Sequence, residues 1–116
     1  MKNRIKFLYL ISKLFAFAER NNIQVICFTF YRSPEQQEQE YIKGKSKIKS
    51  NGPHQKWLAM DLVMIEDSKS LFDNSDLTFA KYKILGDFWK EQDKFCVWGG
   101  DFKFARDIYH FELKEK

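Results

Sequence analysis

The sequence predicts a small α+β domain in which helices pack on a mostly antiparallel sheet. Three observations predict it. Apolar residues recur at helical spacing near the N-terminus and again over residues 78–92. A run rich in β-branched and aromatic residues lies at 23–32 and an apolar run at 58–65, with shorter strand-like segments after residue 95. The segments follow one another as α-β-α-β-(β)-α-β, with no repeat, low-complexity tract or linker between them. A length of 116 residues suits a single domain spanning 1–116.

The first segment, "MKNRIKFLYLISKLFAFAERN", starts basic and continues apolar, as a signal peptide would. Lys13 interrupts the apolar stretch, and no small-x-small cleavage site follows it cleanly. Ile5, Leu8, Ile11, Phe15 and Ala18 fall at three- to four-residue spacing, so an amphipathic helix explains the segment better. Asn21 or Asn22 can close it in a left-handed conformation. "IQVICFTFYR" then reads as a buried strand, with Cys27 as a small core residue. "RSPEQQEQEYIKG" reads as a short helix: Ser33 as N-cap, Pro34 at the first helical position, Gln36 completing a capping box and Gly44 as the stop.

Residues 44–53 form a loop closed by Gly52-Pro53, and "LAMDLVMI" is the second long strand. "EDSKS" is the turn of a hairpin, with Leu71-Phe72 beginning the return strand. Phe79, Tyr82, Leu85, Phe88 and Trp89 mark a third helix over 78–92, which Gly86 weakens by about 1 kcal/mol relative to Ala. "FCVWGGDF" is a strand or loop with a tight glycine turn, and "YHFELK" a short terminal strand.

Charge and cysteine usage bound the function. The net charge is +4, and "KGKSKIKS" (Lys43–Ser50) concentrates four lysines without an acid. Such a stretch is either a solvated loop or an attractor of polyanions: nucleic acid, an anionic wall polymer or phospholipid headgroups. A nucleic-acid partner is not expected, because no RNP-like, zinc-knuckle or helix-turn-helix signature accompanies the charge. Cys27 and Cys96 make neither a metal knuckle nor a disulfide framework. No stretch is long enough to span a membrane, and a monomer synthesised in the cytoplasm is expected.

Chemistry is concentrated in polar residues placed where apolar ones belong. Asp61 interrupts "LAMDLVMI", sharing a face with Ala59 and Val63 while Met60, Leu62 and Met64 share the other. A carboxylate in such a strand needs a cation or a metal as partner. The only two histidines, His54 and His110, both sit at strand edges. Two histidines and a carboxylate supply three ligands and leave a fourth position for water, as in catalytic zinc sites; each could equally be a structural residue. A zinc hydrolase also needs a general base. Asp107, three residues before His110, reaches that position on a tight turn; Asp101 and Glu112 compete for the role. Glu112 shares the His110 face and could instead orient that imidazole. Arg32, at the end of a strand, could stabilise an oxyanion or pair on the surface with Glu35.

Three stretches, "FYRSPEQQEQEYIKGKS", "HQKWLAMDLV" and "WGGDFKFARDIYHFEL", resemble in this order the family of zinc D-Ala-D-Ala peptidases, which includes carboxypeptidases and phage endolysins of the L-alanyl-D-glutamate type. The resemblance covers most of the chain. It implies the small fold of the Hedgehog and D-Ala-D-Ala zinc peptidases, with zinc held by His54, Asp61 and His110. It implies Asp107 as the catalytic carboxylate and Arg32 on the substrate or the tetrahedral intermediate. The implied activity is hydrolysis of the peptidoglycan stem peptide at the bacterial wall, phage- or prophage-like. The L-Ala–D-Glu endopeptidase comes first, with a D-Ala-D-Ala carboxypeptidase or an inactive wall-binding module as alternatives. The chain departs from the family pattern at Gly52, where a serine is usual, and at Trp57, where a glycine is usual. Ser50 could supply the missing hydroxyl, and Trp57 places a bulky side chain beside the substrate.

Overall fold

In the computed structural model, which describes residues 2–30, 56 and 58–115, the first nineteen described residues form helix α1 (Lys2–Arg20). Asn22 takes the left-handed conformation that ends it, with φ 56°. The chain then enters β1 (Gln24–Thr29). After the undescribed stretch come β2 (Ala59–Glu66), β3 (Lys69–Ser70), helix α2 (Asp76–Gln92), β4 (Cys96–Trp98) and β5 (His110–Leu113), with a single 3-10 turn at Gly99–Asp101 after β4. The helix expected over 33–44 and the lysine-rich loop lie outside the described residues.

The strands form one antiparallel sheet in the order β1-β2-β5-β4, with β3 also paired to β2. Both described helices cover the same face. Phe7, Leu10, Ile11, Leu14 and Ala18 of α1 and Tyr82, Leu85 and Trp89 of α2 share a core with Met60, Leu62, Met64, Trp98, Phe111 and Leu113. The alternation read from "LAMDLVMI" holds: Met60, Leu62 and Met64 enter this core, and Asp61 points the other way.

Side-chain hydrogen bonds tie the layers. The Tyr82 hydroxyl accepts from Met64 N and donates to Leu71 O, both at 2.8 Å, clamping the β2–β3 hairpin to α2. Trp89 Nε1 donates to the carbonyls of Val97 and Glu112, each at 3.1 Å, bridging β4 and β5. Ser75 caps α2 by accepting from Thr78 N at 3.1 Å.

Three expectations need correction. The stripe Ile5, Leu8, Ile11, Phe15, Ala18 is not the buried one: Ile5, Leu8 and Phe15 are exposed, and Phe7, Leu10 and Leu14 take their place with Ile11 and Ala18. The helix is apolar on both sides, so periodicity alone does not choose between them. The strand β1 is not buried, and Cys27 is exposed. Among the described residues it is an edge strand, and its β-branched and aromatic residues reflect pleated geometry rather than burial. The hairpin turns on Asp67 and Ser68, with φ 50° and 64°, so the return strand is Lys69–Ser70 and ends before Leu71.

Candidate active site

The face of the sheet away from the helices carries the candidate chemistry. Register places Asp61 opposite Thr29 on one side and opposite His110 on the other. His110 Nδ1 lies 3.4 Å from Asp61 Oδ1, and both side chains are nearly buried. Two residues along β5, Glu112 projects to the same face, as strand alternation requires, and its Oε1 stands 2.8 Å from His110 Nε2. Both ring nitrogens are therefore engaged by carboxylates.

Asp107 arrives from the preceding loop. Its Oδ1 accepts from Tyr109 N at 3.1 Å and its carbonyl accepts from His110 N at 3.2 Å, so Asp107–His110 is a tight turn begun by an aspartate. That turn carries the Asp107 carboxylate back toward His110. Ligand atoms of Asp61, Asp107 and His110 lie within 4.8 Å of one another, a separation a metal ion could bridge. Asp101, the competing base, is instead held by Lys90 at 2.7 Å and stands outside this group.

The protonation of His110 reflects its surroundings. Burial disfavours the imidazolium, but hydrogen bonds to Asp61 and Glu112 and the charges of both carboxylates outweigh it, raising the pKa to about 9 in the metal-free protein. A site that stabilises a cation so strongly on an imidazole is electrostatically suited to a divalent cation.

The loop beneath the site contains residues that motif reading did not single out. Gly99 O accepts from both Phe102 N (3.2 Å) and Asp107 N (3.0 Å), closing the loop between them. A Cβ on Gly99 would stand 2.2 Å from the Asp107 carbonyl oxygen and 2.9 Å from His110 Cβ. Phe102 packs beside the His110 ring, with centroids 5.8 Å apart, and Tyr109 stacks on Phe72 at 4.4 Å. The doubled glycine in "WGGDF" was the available signal, since adjacent glycines permit close backbone approach as well as turns. His54, Arg32, Ser50 and Trp57 lie outside the described residues.

No protein-family model matches the chain, and no curated protein matches it. A solved structure does. The chain shares its fold with an L-Ala D-Glu endopeptidase. The match is the crystal structure of ChiX from Serratia marcescens, with a TM-score of 0.73 over 94% of this chain and 78% of that one. Sequence identity is 18%, so the likeness is one of fold. It bears out the expected small α+β architecture, an antiparallel sheet with helices packed on it. No helix among the described residues is long and apolar enough to cross a membrane.

Proposed function

We propose that the protein is a zinc-dependent peptidase of the bacterial cell wall that hydrolyses the peptidoglycan stem peptide at its L-Ala–D-Glu bond. In this reading it is a divergent member of the zinc D-Ala-D-Ala peptidases that its motifs resemble. The observation that carries the proposal is the convergence of Asp61, Asp107 and His110 on a fold shared with an L-Ala D-Glu endopeptidase.

The donor set suits zinc. Carboxylate oxygen and imidazole nitrogen are ordinary zinc ligands. Glu112 engages Nε2 of His110, which would leave Nδ1, the nitrogen facing Asp61, to hold an ion. His54 would complete the protein ligands, on the strength of the sequence pattern. Zinc bound there would supply an acidified water and a Lewis-acid centre for the scissile carbonyl.

The remaining work falls to the chain's own residues. Asp107, with one carboxylate oxygen oriented by the Tyr109 N–H, takes a proton from the attacking water and returns it to the leaving amine. Arg32 donates to the oxygen on which negative charge develops. Glu112 holds the His110 ring in orientation. Ser50 and Trp57 contact the substrate.

Metal analysis of the purified protein, with muropeptide mass spectrometry, tests the reading. Asp107→Ala should retain zinc and lose turnover; His54→Ala should lose zinc. Loss of zinc from Asp107→Ala would make Asp107 a ligand rather than the base. Cleavage between L-Ala and D-Glu is expected, whereas release of a single terminal D-Ala would identify a carboxypeptidase. A zinc-loaded protein that binds walls without releasing product would be a binding module, and a protein that takes up no zinc would refute the proposal.

A further inference from the structure

Helix α1 carries two apolar stripes, and the core uses one. Phe7, Leu10, Ile11, Leu14 and Ala18 face the sheet. On the outward side Ile5, Leu8 and Phe15 are 47%, 50% and 36% exposed, and Tyr9 is 66% exposed. Ile5, Leu8, Ser12 and Phe15 follow at three- and four-residue steps and so form one line along the helix, with Tyr9 and Ala16 beside it. An apolar row on the outside of a folded domain, here interrupted by Ser12 alone, marks a candidate interaction surface.

The charges of the helix frame this row. At 3.6 residues per turn, Lys2 and Lys13 border it on the Tyr9 side and Arg4 borders it on the other. Lys6 is engaged by Asp93 at 2.6 Å and is set aside. The one acid of α1, Glu19, follows Phe15 on the same line and closes the row at its C-terminal end.

We propose that the outward face of α1 docks on an anionic phospholipid bilayer, with the helix lying in the plane of the interface. The pairing of features selects this partner. A wall polymer or nucleic acid would satisfy the cations but leave Ile5, Leu8 and Phe15 in water. A bilayer surface accepts the apolar row at the acyl boundary and the lysines at the headgroups. The helix lies on the bilayer rather than crossing it, since it is not apolar enough to span.

The fold also fixes what docking does to the rest of the molecule. α1 covers the sheet face into which Met60, Leu62 and Met64 point, whereas Asp61 and His110 project from the opposite face. A docked protein turns its carboxylate–histidine cluster away from the lipid. The docking proposal is independent of the chemistry at that cluster.

Co-sedimentation of the full chain with vesicles tests it, using phosphatidylcholine alone and phosphatidylcholine mixed with phosphatidylglycerol. The double variant Ile5→Gln/Leu8→Gln keeps the charge and uses a good helix former at two already exposed positions. Lys2→Gln/Lys13→Gln removes charge and keeps the apolar row. Wild type should pellet with the mixed vesicles and stay in solution with phosphatidylcholine alone. Each double variant should partition about tenfold less or weaker, with an unchanged melting temperature. The proposal is overturned if wild type ignores the mixed vesicles or if Ile5→Gln/Leu8→Gln pellets like wild type. It is equally overturned if wild type is a dimer that this variant dissociates, because the face would then join two copies of the chain.

Discussion

Gly99→Ala should damage both stability and site, through sterics alone. The Gly99 backbone does not occupy the left-handed region, so alanine is conformationally acceptable there. On backbone entropy alone the substitution would stabilise by ~0.4–1 kcal/mol. The new Cβ, however, would meet the Asp107 carbonyl oxygen at 2.2 Å, its carbon at 3.1 Å and His110 Cβ at 2.9 Å. These are backbone and Cβ atoms, so no rotamer change relieves the contact. Relief requires moving the Asp107–His110 turn by roughly 1 Å to reach ordinary contact distance. Overpacking of this kind costs about 1–3 kcal/mol. Stretching the Asp107 N–H bond to Gly99 O, 3.0 Å long in the native loop, adds about 1 kcal/mol. The net is a loss of about 1–3 kcal/mol, which for a chain of this size lowers Tm by roughly 4–12 °C. With Asp107 in its proposed role as base, a 1 Å displacement should also reduce turnover by about 100-fold. Calorimetry and a wall-hydrolysis assay read the two effects. A Tm equal to or above wild type would show that the loop has room at Gly99, and the positioning argument would fail.

Two further predictions follow from the same geometry. Glu112→Gln removes the charge facing His110 Nε2 at 2.8 Å while keeping its shape, and on the proposed zinc-site reading should weaken zinc binding about 10–100-fold in competition with a chromophoric chelator; unchanged affinity would remove Glu112 from the site. Burial pushes the Tyr82 phenol up to about 12 from an ordinary 10.0, so the folded protein holds a proton between those values that the unfolded chain has lost. Its contribution, on the order of 2 kcal/mol, is complete below pH 10 and disappears as pH rises through about 12. Urea denaturation across pH 9–12 should therefore show the stability gap between wild type and Tyr82→Phe narrowing as pH rises, and a constant gap would refute the assignment.

What the sequence made legible depended on contrast. Asp61 stood out because a carboxylate interrupts an apolar alternation, and the structure puts that side chain opposite the core. Asp107 and His110 were readable from a three-residue spacing that makes a turn, which the backbone hydrogen bonds contain. Where contrast was missing, the reading failed. Nearly every side of α1 offers an apolar residue, so a period of 3.6 fits two stripes, and only the position of the sheet decides between them. For β1, residue type reported strand geometry but not strand order, and order is what exposes Cys27 and Phe28. The steric role of Gly99 depends on a chain segment eight residues away that closes over it, a non-local contact that local propensity does not encode.

Trp98 explains why glycine persists at Gly86, where helix propensity argues against it. The indole is fully buried, and a Cβ at Gly86 would lie 2.3 Å from its Cδ2; one at Gly100 would lie 2.3 Å from its Cη2. Two glycines thus hold the ring from two sides. Its Nε1 donates to Ile108 O at 2.8 Å, inside the turn that carries Asp107 to His110. The roughly 1 kcal/mol that glycine costs the helix is offset by seating a ring that anchors this turn. Any bulk added at Gly86 must displace the indole, and displacing the indole shifts Ile108 and its neighbours. The helix layer and the carboxylate–histidine face are therefore mechanically coupled through one side chain, and residues that touch neither Asp61 nor His110 still set where Asp107 stands.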